Sequence, residues 1–427
     1  MAKVGIIGAG VMGLAAAHHA LKAGHQVQVY EADSQPGGMA AHFDFAGLSI
    51  ERFYHFICKA DRHTFELLEE LGIAQTLRWR QTSMGYFING KHYPWGDPVA
   101  LLKFPELDLI SKFRYGLQMF LATKRNDWSK LDGQSARDWF IAGSGRKAYE
   151  VLWRRLFELK FFEFADDVSA AWAWSRIKRV GTSRKSIMQE ELGHLDGGSE
   201  TLVRALVDSI EAKGGSVRVA VPIEEIAVED GRVAGVRAAG ALEACDAVIC
   251  TIPTPFVARL VPDLPDEWER RYAAIRNIAV VCVVLKLRRS VTPHFWLNIN
   301  DPAFEVPGII EFSNLRSLPD TVVYVPYYMP QTHPKFGWDD AKFVEQVFGY
   351  IRQLNPAIGD EDLVATYVGR LRFAQPVCER GFAAKLPPVQ TPIHGLQIAD
   401  TSFYYPEDRG ISESVRLGRE MALALAG

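Results

Sequence analysis

The first thirty-one residues constrain this chain more than any other stretch. Lys3 to Ile7 is a short apolar, β-branched run of the kind buried in parallel sheets. It leads into Gly8-Ala9-Gly10-Val11-Met12-Gly13 and then an Ala- and Leu-rich helical stretch to Lys22, with Gly24 placed to terminate it. Gln26 to Tyr30 alternates as a second strand and ends on Glu31. Strand, G-x-G-x-x-G turn, helix and acid-terminated strand together make a β-α-β unit suited to a dinucleotide. Gly8 permits the tight turn, Gly10 lets the backbone approach a pyrophosphate, and Gly13 lets the helix pack closely on the strand. The N–H groups of Val11, Met12 and Gly13 begin the helix, where unpaired donors and the positive dipole end face an anion. A carboxylate at Glu31 accepts from ribose hydroxyls and disfavours a 2′-phosphate.

Bulk properties narrow the partners. At 427 residues the chain exceeds one ordinary core, so two domains are expected. A net charge of −3 offers no general attraction for nucleic acid. Cys58, Cys245, Cys250, Cys282 and Cys378 form no C-x-x-C pair, which fits a reducing compartment better than a disulfide framework. His42, His92, His294 and His333 are scattered, and no metal site is expected. The first strand begins at Lys3, leaving no room for a signal peptide, and no apolar run reaches the ~18 residues of a membrane span. A cytoplasmic location is the expectation.

Beyond Glu31, the stretch Ala32-Asp-Ser-Gln-Pro-Gly37-Gly38-Met39 resembles the extended fingerprint of FAD-dependent amine oxidases, protoporphyrinogen oxidases and phytoene desaturases. That resemblance implies FAD rather than NAD, with the Gly-Gly loop passing close to the diphosphate and ribityl chain. It recurs at Gly395-Leu-Gln-Ile-Ala-Asp400, where the terminal acid is expected on ribityl or pyrophosphate oxygens. Gly410-Ile411-Ser412 then opens a helix whose N-terminus, by the same resemblance, points at the flavin pyrimidine. Between the ends, Gly197-Gly198-Ser199 precedes an amphipathic helix marked by Leu202, Leu206 and Ile210, and a hairpin turns at Asp230-Gly231. Cys245-Asp-Ala-Val-Ile-Cys-Thr251-Ile-Pro253 is similar to the family's return strand, and backbone groups near Val221 are expected on the adenine. No cysteine stands at the carboxy-terminal flavin contact, so the FAD is expected to be held noncovalently.

The fold class implied is α/β plus α+β. A discontinuous, Rossmann-like FAD-binding domain would comprise residues 1–76, 191–267 and 386–427. A mixed-sheet and helical substrate-binding domain would comprise residues 77–190 and 268–385, with strands over Ile278 to Leu287 and Thr321 to Pro326 and a helix near Asp340 to Leu354. Helical spacing over Ser111 to Ala122 puts Phe113, Leu117, Phe120 and Leu121 on one face beside Lys112, Arg114 and Lys124. That face is a candidate peripheral membrane contact, although packing on the protein itself is the expected use. Arg176, Lys178, Arg179, Arg184 and Lys185 form a basic run, read either as a solvated face or as a holder for a phosphate or carboxylate.

Two segments are placed by the fingerprint beside the flavin ring: Glu51-Arg52-Phe53-Tyr54-His55 and Phe403-Tyr404-Tyr405-Pro406-Glu407-Asp408-Arg409. Arg52 or Arg409 would stabilise an anionic reduced flavin or a substrate anion, and Tyr54 and Tyr405 would sandwich a flat substrate. His55 is the acid/base candidate, with a structural or cofactor-bonding role equally open. The expected partner is a small organic molecule. The function expected is an FAD-dependent oxidoreductase taking a hydride onto flavin N5; the alternative is a non-redox flavoenzyme resembling UDP-galactopyranose mutase, acting on a sugar nucleotide or lipid phosphate.

Overall fold

The computed structural model of the protein describes residues 1–426. Lys3–Ile7, buried from Val4 onward, pairs in parallel with Gln26–Tyr30 on one side and Ala247–Cys250 on the other. Ser216–Arg218 and Leu396–Ile398 extend the two edges, giving a five-stranded parallel sheet ordered 216–218, 26–30, 3–7, 247–250, 396–398. Its inner strands are buried on both faces, one under three helices and the other against the antiparallel strands at Ile223, Ile226, Val233 and Val236. Val11–Lys22 packs against Ser199–Ala212 and against Ile411–Leu423, and all three share one core with Val4, Ile6 and Ile249. The antiparallel strands Ile223–Glu229, Arg232–Ala238 and Ala241–Ala244 stand beside it, the first turn carried by positive φ at Asp230 and Gly231.

A second, seven-stranded sheet is ordered 363–376, 277–287, 321–329, 308–311, 296–299, 84–88, 91–95. One pairing in it, 84–88 with 296–299, is parallel. The second strand in that order, Asn277–Leu287, is buried throughout except at Asn277. Alternate residues explain why: Val281, Val283 and Leu285 meet the Asp340–Leu354 helix through Phe343, Val347 and Ile351. Cys282 and Val284 face the other way, onto Phe45 and Ile50 of the His42–Phe45/Leu48–Glu51 hairpin. That hairpin therefore wedges the Gly37-Gly38 loop against the floor of the second sheet. Leu77–Thr82 pairs with Gln189–Leu195, joining two passages of the chain between the sheets. All five cysteines are free and buried. No helix among the described residues is long and apolar enough to cross a membrane.

The Leu109–Lys124 helix corrects an expectation. Its apolar face does not pack on the protein: Leu109 and Phe113 are 75% and 72% exposed, and Ile110, Leu117, Phe120 and Leu121 are exposed beside them. The buried side is the polar one, with Ser111, Lys112, Tyr115 and Gln118 turned inward. Ser111, Lys112 and Gln118 find partners there, Ser111 donating its hydroxyl to Asp108 at 3.0 Å. Lys112 Nζ donates to the Leu102 carbonyl (2.7 Å), Gln118 Nε2 to the Trp139 carbonyl (2.9 Å), and Gln118 Oε1 accepts from the Ser144 hydroxyl. Hydrophobic periodicity gave the stripe correctly but not the direction in which it points.

Candidate active site

The cofactor end is a backbone construction. A Cβ built on Gly13 would lie 1.9 Å from the Gly8 carbonyl oxygen, so the first helix can start against the first strand only with glycine there. Thr251 braces this turn from the neighbouring strand, its hydroxyl donating to the Ile7 carbonyl at 3.0 Å. A Cβ on Gly10 would meet nothing within 4 Å. Gly10 is also the N-cap of Val11–Lys22 and supplies no side-chain cap, leaving the opening N–H groups of Val11, Met12 and Gly13 facing that open space. Gly37 pairs across the space with Gly10, and Gly38 and Met39 continue the rim. The cradle fits a dinucleotide pyrophosphate. Glu31, at the adjacent strand end, already accepts from the Ala9 and Asp33 N–H groups at 2.7 and 2.9 Å, which fixes its carboxylate; Ala32 beside it is exposed. The Ile411–Leu423 helix likewise opens without a side-chain cap at Gly410, leaving the Ile411 and Ser412 amides as donors.

Three of the expected contact residues also have protein partners of their own. The Val221 N–H donates to the Glu31 carbonyl (2.8 Å), so only its carbonyl remains for an adenine. Asp400 is buried with both carboxylate oxygens engaged, accepting from the Thr254 and Ser402 N–H groups at 2.8 Å each. Burial pushes this carboxyl up and those two amides oppose the rise. Tyr405 turns into the helical layer, where its hydroxyl donates to Asp132 (2.5 Å) and also bonds Ser169 (2.6 Å), which commits its one proton.

Arg52 pairs with Asp33 and ties the hairpin to the ribose-side loop. Its neighbour Glu51 is buried, accepting from the Ser199 amide at 3.1 Å with His42 and Arg316 at 3.4 and 3.7 Å. Burial alone would raise this carboxyl, but His42, Arg316 and the amide outweigh it and hold it below its ordinary value. A Cβ on Gly198 would sit 2.6 Å from Glu51, which accounts for the second glycine of Gly197-Gly198.

Tyr54 and His55 are half-buried, with Tyr328, Arg176 and Arg409 around them. Both keep accessible surface, yet burial dominates their titration, raising the Tyr54 phenol and lowering His55 to about 4. His55 is therefore a neutral imidazole at physiological pH, and its Nδ1 is buried without a partner. Arg409 lies near both, its Nη1 donating to the Ala374 carbonyl at 2.6 Å and its buried Nε unpaired. The structure thus brings Tyr54, His55 and Arg409 together and leaves Arg52 and Tyr405 aside.

Arg176, read from the sequence only within a basic run, Asp408, and Lys160, not singled out there, complete this wall. Arg176 stacks 5.0 Å over Trp172 and pairs with Asp408, whose carboxylate also faces Trp172 Nε1 and Gln375 Nε2 at 3.4 Å each. Lys160 Nζ lies 4.9 Å from the Trp172 ring and 5.0 Å from Tyr328. One signal was available: Lys160 interrupts the apolar helical run Leu156, Phe157, Phe161. The basic run itself dissolves into separate pairs. Arg179 bonds Asp61 (2.7 Å), and Lys178 reaches the Arg125 carbonyl (2.7 Å). Glu407 was also missed; burial and Glu413 push its carboxyl up to about 7, against the pull of Arg179. A single three-residue grouping with metal-ligand chemistry occurs among the described residues, His18, His19 and Glu70, but Lys22 occupies the Glu70 carboxylate at 2.6 Å and Ser209 bonds His18 at 2.9 Å.

The profile of the family described as flavin containing amine oxidoreductase matches residues 12–397. The chain belongs to that family. FAD is accordingly its cofactor, and the Gly10 cradle is the place that fits it. Among relatives, the chain is 26% identical over 325 residues to 15-cis-phytoene desaturase of Synechococcus elongatus, a match covering 68% of this chain and 66% of that protein, just under two thirds. It is 30% identical over 139 residues to protoporphyrinogen oxidase 2 of Arabidopsis thaliana, covering 32% of this chain and 27% of the relative. A crystal structure of reduced UDP-galactopyranose mutase shares the fold, with a TM-score of 0.77 at 16% identity, covering 100% of this chain and 94% of that one.

Gly10→Ala and Gly13→Ala should separate cofactor binding from folding. The Gly10 methyl enters the open cradle, so flavin retention on gel filtration should fall by about tenfold or more while unfolding of the apoprotein is unchanged. Gly13→Ala collides with backbone and should cost about 1–3 kcal/mol or more in the apoprotein itself. Glu407 gives a pH signature. Its folded pKa of about 7 exceeds the ordinary 4.5, so the folded state binds more protons, and stability is lost as pH rises between those values. Glu407→Gln should match the wild type near pH 4.5 and exceed it above pH 7, by on the order of 2–3 kcal/mol in urea unfolding.

Proposed function

We propose that this protein removes a hydride from a C–H bond of a small organic substrate held in the cleft of Tyr54, His55, Tyr328 and Trp172. The observation carrying this reading is that one short segment, residues 51–55, joins the Gly-Gly loop of the cofactor cradle to an aromatic cleft holding an unbonded imidazole nitrogen. Bound FAD supplies the two-electron acceptor. The opening amides of Val11, Met12 and Gly13 hold its pyrophosphate and Glu31 its ribose. Tyr54 and Tyr328 orient a flat substrate and, with Trp172, exclude water. Loss of a hydride leaves a cationic carbon; where a double bond then forms, a proton must also leave, and the half-buried neutral imidazole of His55 is the acceptor beside it.

The test is anaerobic mixing of the flavin-loaded protein with amines, porphyrinogens, polyprenoids and sugar nucleotides. Bleaching of the flavin by one class, with one oxidised product per flavin reduced, is the expected result. Conversion of a sugar nucleotide only after chemical reduction of the flavin, with no net oxidation, would replace this reading with the mutase-like one.

We propose further that the protein meets an anionic lipid surface through its inverted helix. The support is the exposed row Leu109, Ile110, Phe113, Leu117, Phe120 and Leu121, continued by Leu102 and by Ile187 and Met188. An open cavity of about 300 Å³ lies in this face between Val99, Lys103 and Met188. Exposed Lys103, Lys124, Arg125 and Lys185 lie along the same segments and match acidic headgroups. Vesicles containing phosphatidylglycerol should sediment the protein and phosphatidylcholine vesicles much less. A Phe113→Ser/Phe120→Ser variant should stay in the supernatant while unfolding within about 0.5 kcal/mol of the wild type. Equal sedimentation of that variant would remove the helix from the contact.

A further inference from the structure

Three cations from three parts of the chain surround the cleft: Lys160 on Arg155–Phe161, Arg176 on Ala170–Thr182, and Arg409 before the last helix. Lys160 is 95% buried, being 5% exposed. Its ammonium sits among Trp172, Tyr328 and Phe161 at 4.9, 5.0 and 5.6 Å and has no hydrogen-bond acceptor among the described residues. Arg409 Nε is likewise buried and unpaired. One carboxylate, Asp408, faces the group, and it is already held by Arg176, Trp172 and Gln375. Cys378 lies close to Lys160 and, with its thiol pushed up by burial, adds no negative charge. Burial, with Arg176 and Arg409 beside it, pushes the Lys160 amine well below its ordinary value, so the group holds unused donors and a lysine whose charge an entering anion would restore.

We infer that Lys160, Arg176 and Arg409 form a subsite for the carboxylate of the substrate, placing that substrate among organic acids with a flat or apolar body. The physical argument is one of compensation. Buried charge without a partner is costly, and cation–π contact with three rings offsets part of that cost without supplying an acceptor. An entering carboxylate supplies the missing acceptors, Arg fork and Lys donors being complementary to its two oxygens. The rings that cage Lys160 would then cover the substrate's apolar part. A solvated surface run would show none of this: its lysines would be exposed. This subsite also explains why a neutral aromatic cage would not do, since Phe161, Trp172 and Tyr328 need no lysine among them to pack. The inference rests on the cleft being the substrate side of the flavin.

Benzoate, phenyl phosphate, benzylamine and benzyl alcohol are suitable probes. They are titrated into flavin-loaded protein, reading the flavin spectrum, and into apoprotein, reading tryptophan fluorescence, because Trp172 lies in the subsite. Benzoate is expected to saturate both signals while the amine and alcohol do not. Lys160→Met should weaken benzoate by roughly ten- to a hundredfold without loss of bound flavin, and Arg176→Gln by a similar factor. Lys160→Gln gives the same reading if the methionine variant does not fold. Tighter binding of phenyl phosphate than benzoate would overturn the carboxylate assignment, and tighter binding of benzylamine, or unchanged benzoate affinity in the Lys160 variants, would overturn the subsite. A benzoate signal in apoprotein with none in the flavin spectrum leaves the carboxylate subsite standing but separates it from the flavin, so failure of the hydride-transfer reading is distinguished from failure of this one.

Discussion

The Gly8 carbonyl oxygen occupies the place where a side chain on Gly13 would begin, and the Thr251 hydroxyl closes the same turn from the next strand. This contact between the first strand and the first helix sets the rest of the cofactor end. It aims the helix N-terminus across Gly10, brings Gly37 alongside, and holds the strand end so that Glu31 can accept from two backbone amides. The free energy resides less in any one bond than in excluding alternatives, because a backbone this close to backbone admits few other packings. The flavin side of the cleft inherits its position from here through the loop and hairpin that follow.

Electrostatics does the corresponding work between the sheets. Glu51 ends the hairpin, pins the amide that starts the Ser199–Ala212 helix, and faces His42 and Arg316. Its backbone carbonyl also accepts from the Tyr324 hydroxyl, at 2.6 Å, on the second sheet. One buried carboxylate residue thus ties together four passages of chain. Such a group is expensive to bury and cheap to keep only while every partner is present, which makes the geometry around Tyr54 and His55 close to all-or-none.

How much of this was legible follows from range. The first β-α-β unit, the hairpin at Asp230-Gly231 and the Asp340–Leu354 helix were readable because turn chemistry and periodicity act over a few residues. The Leu109–Lys124 helix was readable in outline, but which side faces water depends on Leu102, Trp139 and Ser144, and spacing carries no record of them. Tyr405 and Asp400 are read as ligand contacts because their segments match a fingerprint; that they also bond Asp132 and Thr254 was not legible, since those partners are more than a hundred residues away. Lys160 and Arg176 resisted for the converse reason. A lysine in an apolar helix and an arginine in a basic run gain their meaning only from Tyr328, Asp408 and Arg409, which the fold brings from the other half of the chain.

The strand order of the parallel sheet has a consequence for how the protein is made. Ala247–Cys250, buried along its whole length, has one neighbour near the beginning of the chain and the other at Leu396–Ile398. On a ribosome moving at about 5–20 residues per second, that second edge stays open for roughly ten to thirty seconds after the strand has emerged. During this interval a fully apolar strand presents unpaired amides and carbonyls to whatever is nearby. The nascent chain therefore passes through a period of exposure that ends only as its carboxy-terminal strand is delivered. Truncations that remove Leu396–Ile398 would leave a sheet that never closes rather than a smaller protein.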